Sequence, residues 1–495
     1  MHESISAALQ PGKVQGSRPK VALANDSADP RSVVLTASPL QRVGAFALAA
    51  FARAEHPQDV AGESLIAVID LMTSHLLETA HVAKAADPGG FWLGASYLLW
   101  PNSKLNPTAR GKQSPSERGR LIREWRSRPD PAEWPGVPCA YCGRSACGWY
   151  GKVDIPLGAS VAHRNTTAPG HEGTPLCFPC VASLWAFPYG ASLSGGRAAL
   201  MHSWDDVFLA KMTRDTVDQT LRHAAAGPSQ KAKPKPYARE LWVLQAVRAY
   251  SRRITSGVEL IVLSNSNKEQ LLATQELSQP IAEWLRSTNK IPERRTGYPA
   301  LVATQETKQV PGEAYLAKRA FTRPAQVLDF AIGHVLGRIS AAVLIPAEAS
   351  VLAPLLYSYC REVLTMDDKD VERIKELAGR LAALLGQDSR PGPFRDFIRA
   401  NSKGGNLYGW FRSKGVDWLL FPRPDGTAPV LLPVQDYRLL FEDERSWSWR
   451  RLLVFAVLEA LAEAGWEPKG SQEELQEIKD LADAAGSGQE EGAEQ

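Results

Sequence analysis

Cysteine is scarce in this chain, with six among 495 residues. So thin a supply excludes a scaffold built on disulfides and suits a reducing compartment. Histidine is also sparse, nine in all, and no two histidines stand at metal-ligand spacing. Charge of one sign is lacking too. The formal net charge is +3, too small for the chain as a whole to act as a polycation. No long hydrophobic run occurs. The longest, Leu452 to Leu461, is about half a membrane span and is broken by Glu459. Several catalytic signatures are missing: no G-x-x-x-x-G-K-[ST] loop, no G-x-S-x-G elbow, no H-E-x-x-H and no dinucleotide fingerprint. The glycine pairs Gly195-Gly196 and Gly404-Gly405 read as turns. What remains is a globular cytoplasmic chain with no membrane contact, 44% hydrophobic and 22% charged, long enough for more than one domain.

Four of the six cysteines form two pairs, Cys139-Ala-Tyr-Cys142 and Cys177-Phe-Pro-Cys180, with 34 residues between them. Two C-x2-C knuckles deliver four thiolates to a tetrahedral Zn2+ site. A closed four-cysteine set leaves no open position, so the reading is a structural zinc that pins a loop-rich insertion of about residues 136–190. Gly143 suits the turn that follows the first pair. Cys147 is near enough to compete as a ligand, as are His163 and His171 inside the insertion. Cys360 sits in an apolar helical context and reads as a small buried hydrophobe.

Along the chain, residues 1–31 read as a disordered leader rich in Ser, Ala, Pro and Gly. From Pro39 to about Leu77 the apolar spacing is helical, with Val43, Ala47, Leu48 and Phe51 on one stripe and Leu65, Val68, Leu71 and Leu76 on another. Phe91 to Trp100 suits a buried strand or a short helix. Residues 224–236 look like a linker. Val258 to Leu263 is a β-branched strand, closed by the turn Asn265-Ser-Asn267 and followed by a helix through Ile281 to Leu285. Beyond Val327 the pattern is helical. Val371, Ile374, Leu377, Leu381 and Leu384 share one face, with aspartates at that helix's start and Gly386 past its end. Helices are also expected at Phe394 to Ala400 and Trp449 to Ala464. The chain then turns acidic and reads as a flexible tail over 467–495. The fold class is α+β. An N-terminal mixed α/β domain (32–325) carries the zinc-knuckle insertion, and a C-terminal helical bundle (326–466) follows.

The cations are clustered. Between Lys104 and Arg128 there are eight (Lys104, Arg110, Lys112, Arg118, Arg120, Arg123, Arg126, Arg128) against two anions, Glu117 and Glu124. The stretch reads as a basic loop that abuts the zinc knuckles. Arginine and lysine on phosphates release counterions, so such a loop is a candidate nucleic-acid contact. A second polar-aromatic patch holds Asn401, Lys403, Asn406, Arg412 and Lys414 around Tyr408 and Trp410.

One catalytic alternative follows from the knuckles. HNH nucleases carry paired C-x2-C motifs around an Asp-His pair. Here the stretch is Val153-Asp154-Ile155-Pro156, and an isoleucine cannot take a proton from water. His163 and Asn165 come too late for that spacing. A nuclease, or a DNA-binding protein derived from one, remains the alternative. A third reading is a zinc-stabilised assembly protein whose acidic tail docks a partner.

The order of features resembles a known family. The knuckles with Phe187-Pro-Tyr-Gly190 come first. The strand Val258-Glu-Leu-Ile-Val-Leu263, Leu355-Leu-Tyr-Ser-Tyr-Cys360, Phe394-Arg-Asp-Phe-Ile398 and Trp449-Arg-Arg-Leu-Leu-Val-Phe455 follow in that order. Together they resemble the large subunit of type I CRISPR effector (Cascade) complexes, in the Cst-type branch of subtype I-B, over roughly residues 35–465. The resemblance implies a subunit that is not an enzyme. Its N-terminal domain would recognise the protospacer-adjacent motif of duplex DNA and support R-loop formation, and its C-terminal bundle would hold the displaced strand. The implied partners are CRISPR RNA, target double-stranded DNA, the backbone, 5′-handle-capping and small subunits, and a recruited helicase–nuclease or transposition proteins. Some relatives make a small subunit by internal translation. Met366 stands where such a start would fall, although a core methionine is the plainer reading. Guide pairing supplies sequence specificity in such complexes, so the protein need read only shape and a short motif. The family fixes no motif-reading residues by a short signature, so Lys112, Arg118, Arg120 and Arg126 stand as candidates on charge alone.

Overall fold

The computed structural model describes residues 31–107, 111–159, 173–194, 196–226, 235–267, 270–344, 346–402, 404–420 and 429–487. The expected leader lies outside these residues, Arg31 excepted. The fold is mixed α/β, with 18 α-helices and two small sheets among the described residues. No helix among them is long and apolar enough to cross a membrane.

The chain opens with α1 (Pro39–Ala52), α2 (Gly62–Leu77) and α3 (Phe91–Leu99). Ser38 caps α1 by accepting from Gln41 N, with Pro39 at the first helical position, where a missing N–H is harmless. α1 is buried almost all round, so its polar residues need partners. Gln41 donates to Val34 O (2.6 Å) and to Ser183 Oγ, and Arg42 pairs with Asp206. At Gly44 the helix touches a neighbouring backbone so closely that a Cβ would lie 1.8 Å from Ser183 O. The stripes expected on α1 and α2 are buried, except that Phe51 is half-buried and Leu71 is 45% exposed and lies off the packed face. α3 settles the ambiguity over Phe91 to Trp100 in favour of a helix.

The stretch read as a basic loop contains a 12-residue helix instead, α4 (Pro115–Arg126). Its signal is in the sequence. Ser114 with Glu117 three residues on is a helix-start pattern, Pro115 follows the cap, and Ser114 Oγ accepts from Glu117 N at 3.2 Å.

The knuckle insertion holds the first sheet, an antiparallel pair of three-residue strands, β1 (Gly148–Tyr150) and β2 (Thr174–Leu176). α5 (Phe178–Ala186) follows, with Cys177 as its N-cap residue. The second sheet is antiparallel in the order β3-β4-β5-β6: β3 (Ser192–Ser194), β4 (Arg197–Ser203), β5 (Val258–Asn265) and β6 (Gln270–Leu277). Between β4 and β5 come α6 (Asp206–Ala226) and α7 (Ala238–Ala249). The expected linker thus begins inside α6, and 227–234 lie outside the described residues.

This sheet separates two cores, and the period-2 alternation of its strands decides which residue serves which. Ala198, Leu200, Ile261 and Leu263 face the first core, shared with α1–α5. Ala199, Met201, Val258, Leu260 and Val262 face the second. With apolar layers on both sides, Val258 to Leu263 reads as an unbroken apolar run apart from Glu259.

The second core collects the remaining helices: α8 (Gln279–Ser287), α9 (Pro292–Thr304), α10 (Gly312–Thr322), α11 (Gln326–Ser340), α12 (Pro346–Glu362), α13 (Asp368–Leu385), α14 (Gly392–Asn401), α15 (Leu407–Leu420), α16 (Val434–Phe441), α17 (Ser446–Glu463) and α18 (Gln472–Ser487). The expected domain boundary at 325/326 falls inside this core, because Leu285, Leu301 and Leu316 are buried in one cluster with Leu328, Leu356 and Leu452. On α13, Val371, Ile374, Leu377 and Leu381 are buried, and Asp367 accepts from Lys369 N. Met366 and Cys360 are core residues, and burial pushes the Cys360 thiol up to about 12.

The tail expectation also differs. Gln472–Ser487 is helical, Leu475 and Ile478 are buried in the second core, and Glu477 bridges Arg395 and Arg399. Three apolar residues at helical spacing (475, 478, 481) suffice to dock a segment whose composition looks solvated. Residues 488–495 lie outside the described residues.

Candidate metal centre and the adjoining basic helix

The first knuckle is a tight turn. Cys139 N donates to Arg144 O (2.6 Å), and Gly143 N donates to Cys139 O (2.9 Å). Gly143 has φ +76°, a left-handed conformation that glycine adopts without strain. Two further bonds tie this turn to the strand leading into the second pair: Ala140 N to Pro175 O, and Cys147 N to Leu176 O, each 2.8 Å. Residues far apart in sequence are thereby brought to one point. The Sγ atoms of Cys139, Cys142, Cys177 and Cys180 all lie within 4.8 Å of one another, with Cys142 and Cys177 at 3.4 Å.

These dimensions fit a metal ion. Four sulfurs at about 2.3 Å from a tetrahedral zinc lie about 3.8 Å apart. Three of the four cysteines are buried, and all are thiols. Hydrogen bonds from the other three hold the Cys139 thiol well below the usual range, and hydrogen bonding to Cys139 and Cys142 pushes Cys177 and Cys180 up. A divalent cation would let all four ionise. The group is therefore compatible with zinc. Cys147 is outside it, bonded to Tyr150 Oη at 3.2 Å. His163, His171 and Asn165 lie outside the described residues.

α4 is bolted to this module through its inner face. Arg126 is 4% exposed and stacks on three tryptophans, with its guanidinium carbon 4.9 Å from the Trp100 ring centre, 4.2 Å from Trp125 and 4.6 Å from Trp185. Trp185 belongs to α5, the helix that carries Cys180. Burial lowers the Arg126 guanidinium to about 9, opposed by Tyr189 and Asp154. Its Nε and Nη2 have no hydrogen-bond partner among the described residues. Asp154 joins the same knot, accepting from Trp125 Nε1 (3.0 Å) and Gly151 N (2.9 Å), while its carbonyl accepts from Trp185 Nε1 (3.2 Å).

The ten expected nucleic-acid contacts are therefore not equivalent. Arg126 is a buried packing residue and is withdrawn from the set: a guanidinium enclosed by three indoles cannot reach a phosphate. Arg118 is half-buried and donates to Ala80 O at 3.2 Å. Lys104, Lys112, Arg120, Arg123 and Arg128 are exposed; Arg120 pairs with Glu124 one turn on, and Arg128 lies over Trp134. Arg412 is exposed on α15, remote in sequence from α4. Arg110 and Lys403 lie outside the described residues. Asp154 and Ile155, weighed for a nuclease, serve the packing: the aspartate is bonded as above and Ile155 is 2% exposed. Sequence reasoning missed Trp100 and Trp185. The adjacent Trp125-Arg126 on a face shared with Ile122 was the available signal.

No family model, no curated protein and no solved structure matches the chain.

Proposed function

We propose that the chain is the large subunit of an RNA-guided type I CRISPR surveillance complex, recognising a protospacer-adjacent motif in duplex DNA and supporting R-loop formation by binding alone. One observation supports this above the rest. A helix whose outer face carries Arg120 and Arg123, flanked by Lys112 and Arg128, is anchored rigidly to a four-cysteine module. Cations on a fixed scaffold are what phosphate contact and motif reading require. In this reading Cys139, Cys142, Cys177 and Cys180 hold a structural Zn2+ that contributes folding energy directly. Asp154 is committed to Trp125 and Gly151, which leaves the nuclease alternative without a free carboxylate at that place. The protein works in the cytoplasm, with CRISPR RNA and other Cascade subunits as partners.

The test is purification from the native host in gentle salt, followed by sequencing of any RNA carried along. Short RNAs with one common 5′ handle and variable spacers are expected. A chain that brings no RNA and no companion subunits overturns the proposal.

A further inference from the structure

A cavity of about 500 Å³ opens beside the first knuckle, in the size range of small-ligand sites. Two groups already named line it, Cys177 of the four-cysteine cluster and Arg128. Its floor is apolar, made by the buried Leu65 of α2 and Phe178 at the start of α5, with Ile66 of α2 further out. Its rim is cationic. Arg128 and Arg144 stand on it, and Trp134 forms part of the wall. Arg128 and Trp134 are already stacked, with the guanidinium carbon 5.3 Å from the ring centre. Trp134 is itself fixed, its Nε1 donating to Pro129 O at 3.2 Å. Arg144 is held by donating to Ser32 O at 2.7 Å. Among the lining residues, Glu63 and Asp70 are acceptors that match the exocyclic amino groups of a base.

We propose that this cavity binds a nucleoside phosphate. The chemistry follows from the walls. A planar guanidinium laid on an indole is a stacking platform for a nucleobase. The apolar floor desolvates the other side of the ring. Arg144 on the rim gives a fork-shaped donor for phosphate oxygens. A purely apolar ligand would make no use of the two guanidiniums on the rim, and a bare anion would leave the apolar floor unused. The ligand is either a free nucleotide or one unstacked nucleotide of a single strand. The inference needs only the purified chain, so it stands or falls apart from the complex proposed above.

The test is calorimetric titration of the full-length, metal-loaded chain with AMP, GMP, CMP and UMP, with a single-stranded hexanucleotide, and with inorganic phosphate and adenosine as controls. Two variants accompany it. Arg128→Ala removes the upper layer of the platform, and Ala67→Trp plugs the cavity from an exposed position on α2. Unchanged circular dichroism and metal content certify their folding. Binding of at least one nucleotide or the hexanucleotide is expected, weakened tenfold or more in both variants and stronger than either control. Saturation by a mononucleotide assigns the site to free nucleotides. Binding by the hexanucleotide alone assigns it to a strand. Absence of binding to all of them overturns the proposal, as does affinity that neither variant changes.

Discussion

The two cores on either side of the four-stranded sheet are built on different principles. The second core is made of helices whose apolar stripes are continuous in sequence, such as Val371, Ile374, Leu377 and Leu381 on α13 packed against α17. The first core gathers short pieces, including two three-residue strands and two nine-residue helices. Segments that short cannot hold themselves. They are fixed by long-range polar ties: four sulfurs from two knuckles, an aspartate that joins Trp125 to Trp185, and Asn265, which donates to Leu99 O and Lys152 O across the module. Helical periodicity stabilises one half, and specific cross-links stabilise the other.

Metal removal is the harshest way to break this comparison. Structural zinc contributes on the order of 10 kcal/mol in small metal domains. Chelation, or Cys177→Ser, is expected to strip amide-exchange protection from the β1–β2 pair, α5 and α4, while α13 and α17 stay protected. Uniform loss across both cores would show that they form one cooperative unit. The matching insult to the second core is Arg380→Ala. Arg380 donates to Asp436 at 2.7 Å and to Leu431 O, and Asp436 is 4% exposed, its carboxyl held up by burial despite the arginine. Orphaning a buried carboxylate costs about 3–5 kcal/mol. Urea unfolding of the helical half should register that loss while leaving metal content unchanged. Within the first core, Arg126→Ala is expected to cost about 3 kcal/mol through lost stacking and a cavity among indoles, whereas Arg123→Ala should be neutral by the same thermal melt.

How much of this was legible follows the same division. The α13 stripe, its Asp367 cap and the β5 run are local patterns, and each is present where its spacing put it. The four cysteines could be grouped from sequence because thiol pairs have few other uses in a cysteine-poor chain. Arg126 could not be told from Arg123 by charge. Only helical phase separates them, and treating the stretch as a loop discarded the phase, although Ser114-Pro115-Ser116-Glu117 announced a helix start. The tail was misread for the opposite reason. Its composition is acidic, but Leu475 and Ile478 dock on a neighbour that no local rule reveals. The 325/326 boundary has no seam in the packing, because Leu301 and Leu316 before it and Leu328 and Leu356 after it are buried in one cluster.

Acidification gives the smallest and most discriminating contrast. In the first core His75 and His202 are held below their ordinary value of 6.5, chiefly by burial. His202 bonds Glu259 at 2.8 Å across β4 and β5 and also feels Arg42 and Asp206. His75 bonds Tyr189 and feels Glu78. A histidine with a depressed folded value takes up its proton more readily when unfolded, so its contribution is present above about pH 6.5 and is lost as pH falls through that point. In the second core the raised groups are acids. Burial lifts Asp436 and Glu459, the latter accepting from Tyr357 Oη. An acid with a raised folded value binds its proton more readily when folded, so the same fall in pH favours the native state there. Between pH 7 and pH 5 the first core should therefore lose stability as its two histidines take up protons on unfolding, while the second holds or gains. Exchange protection measured segment by segment at the two pH values reads this directly. Parallel loss in both halves would mean that the sheet transmits unfolding and that the two cores, though built differently, melt as one.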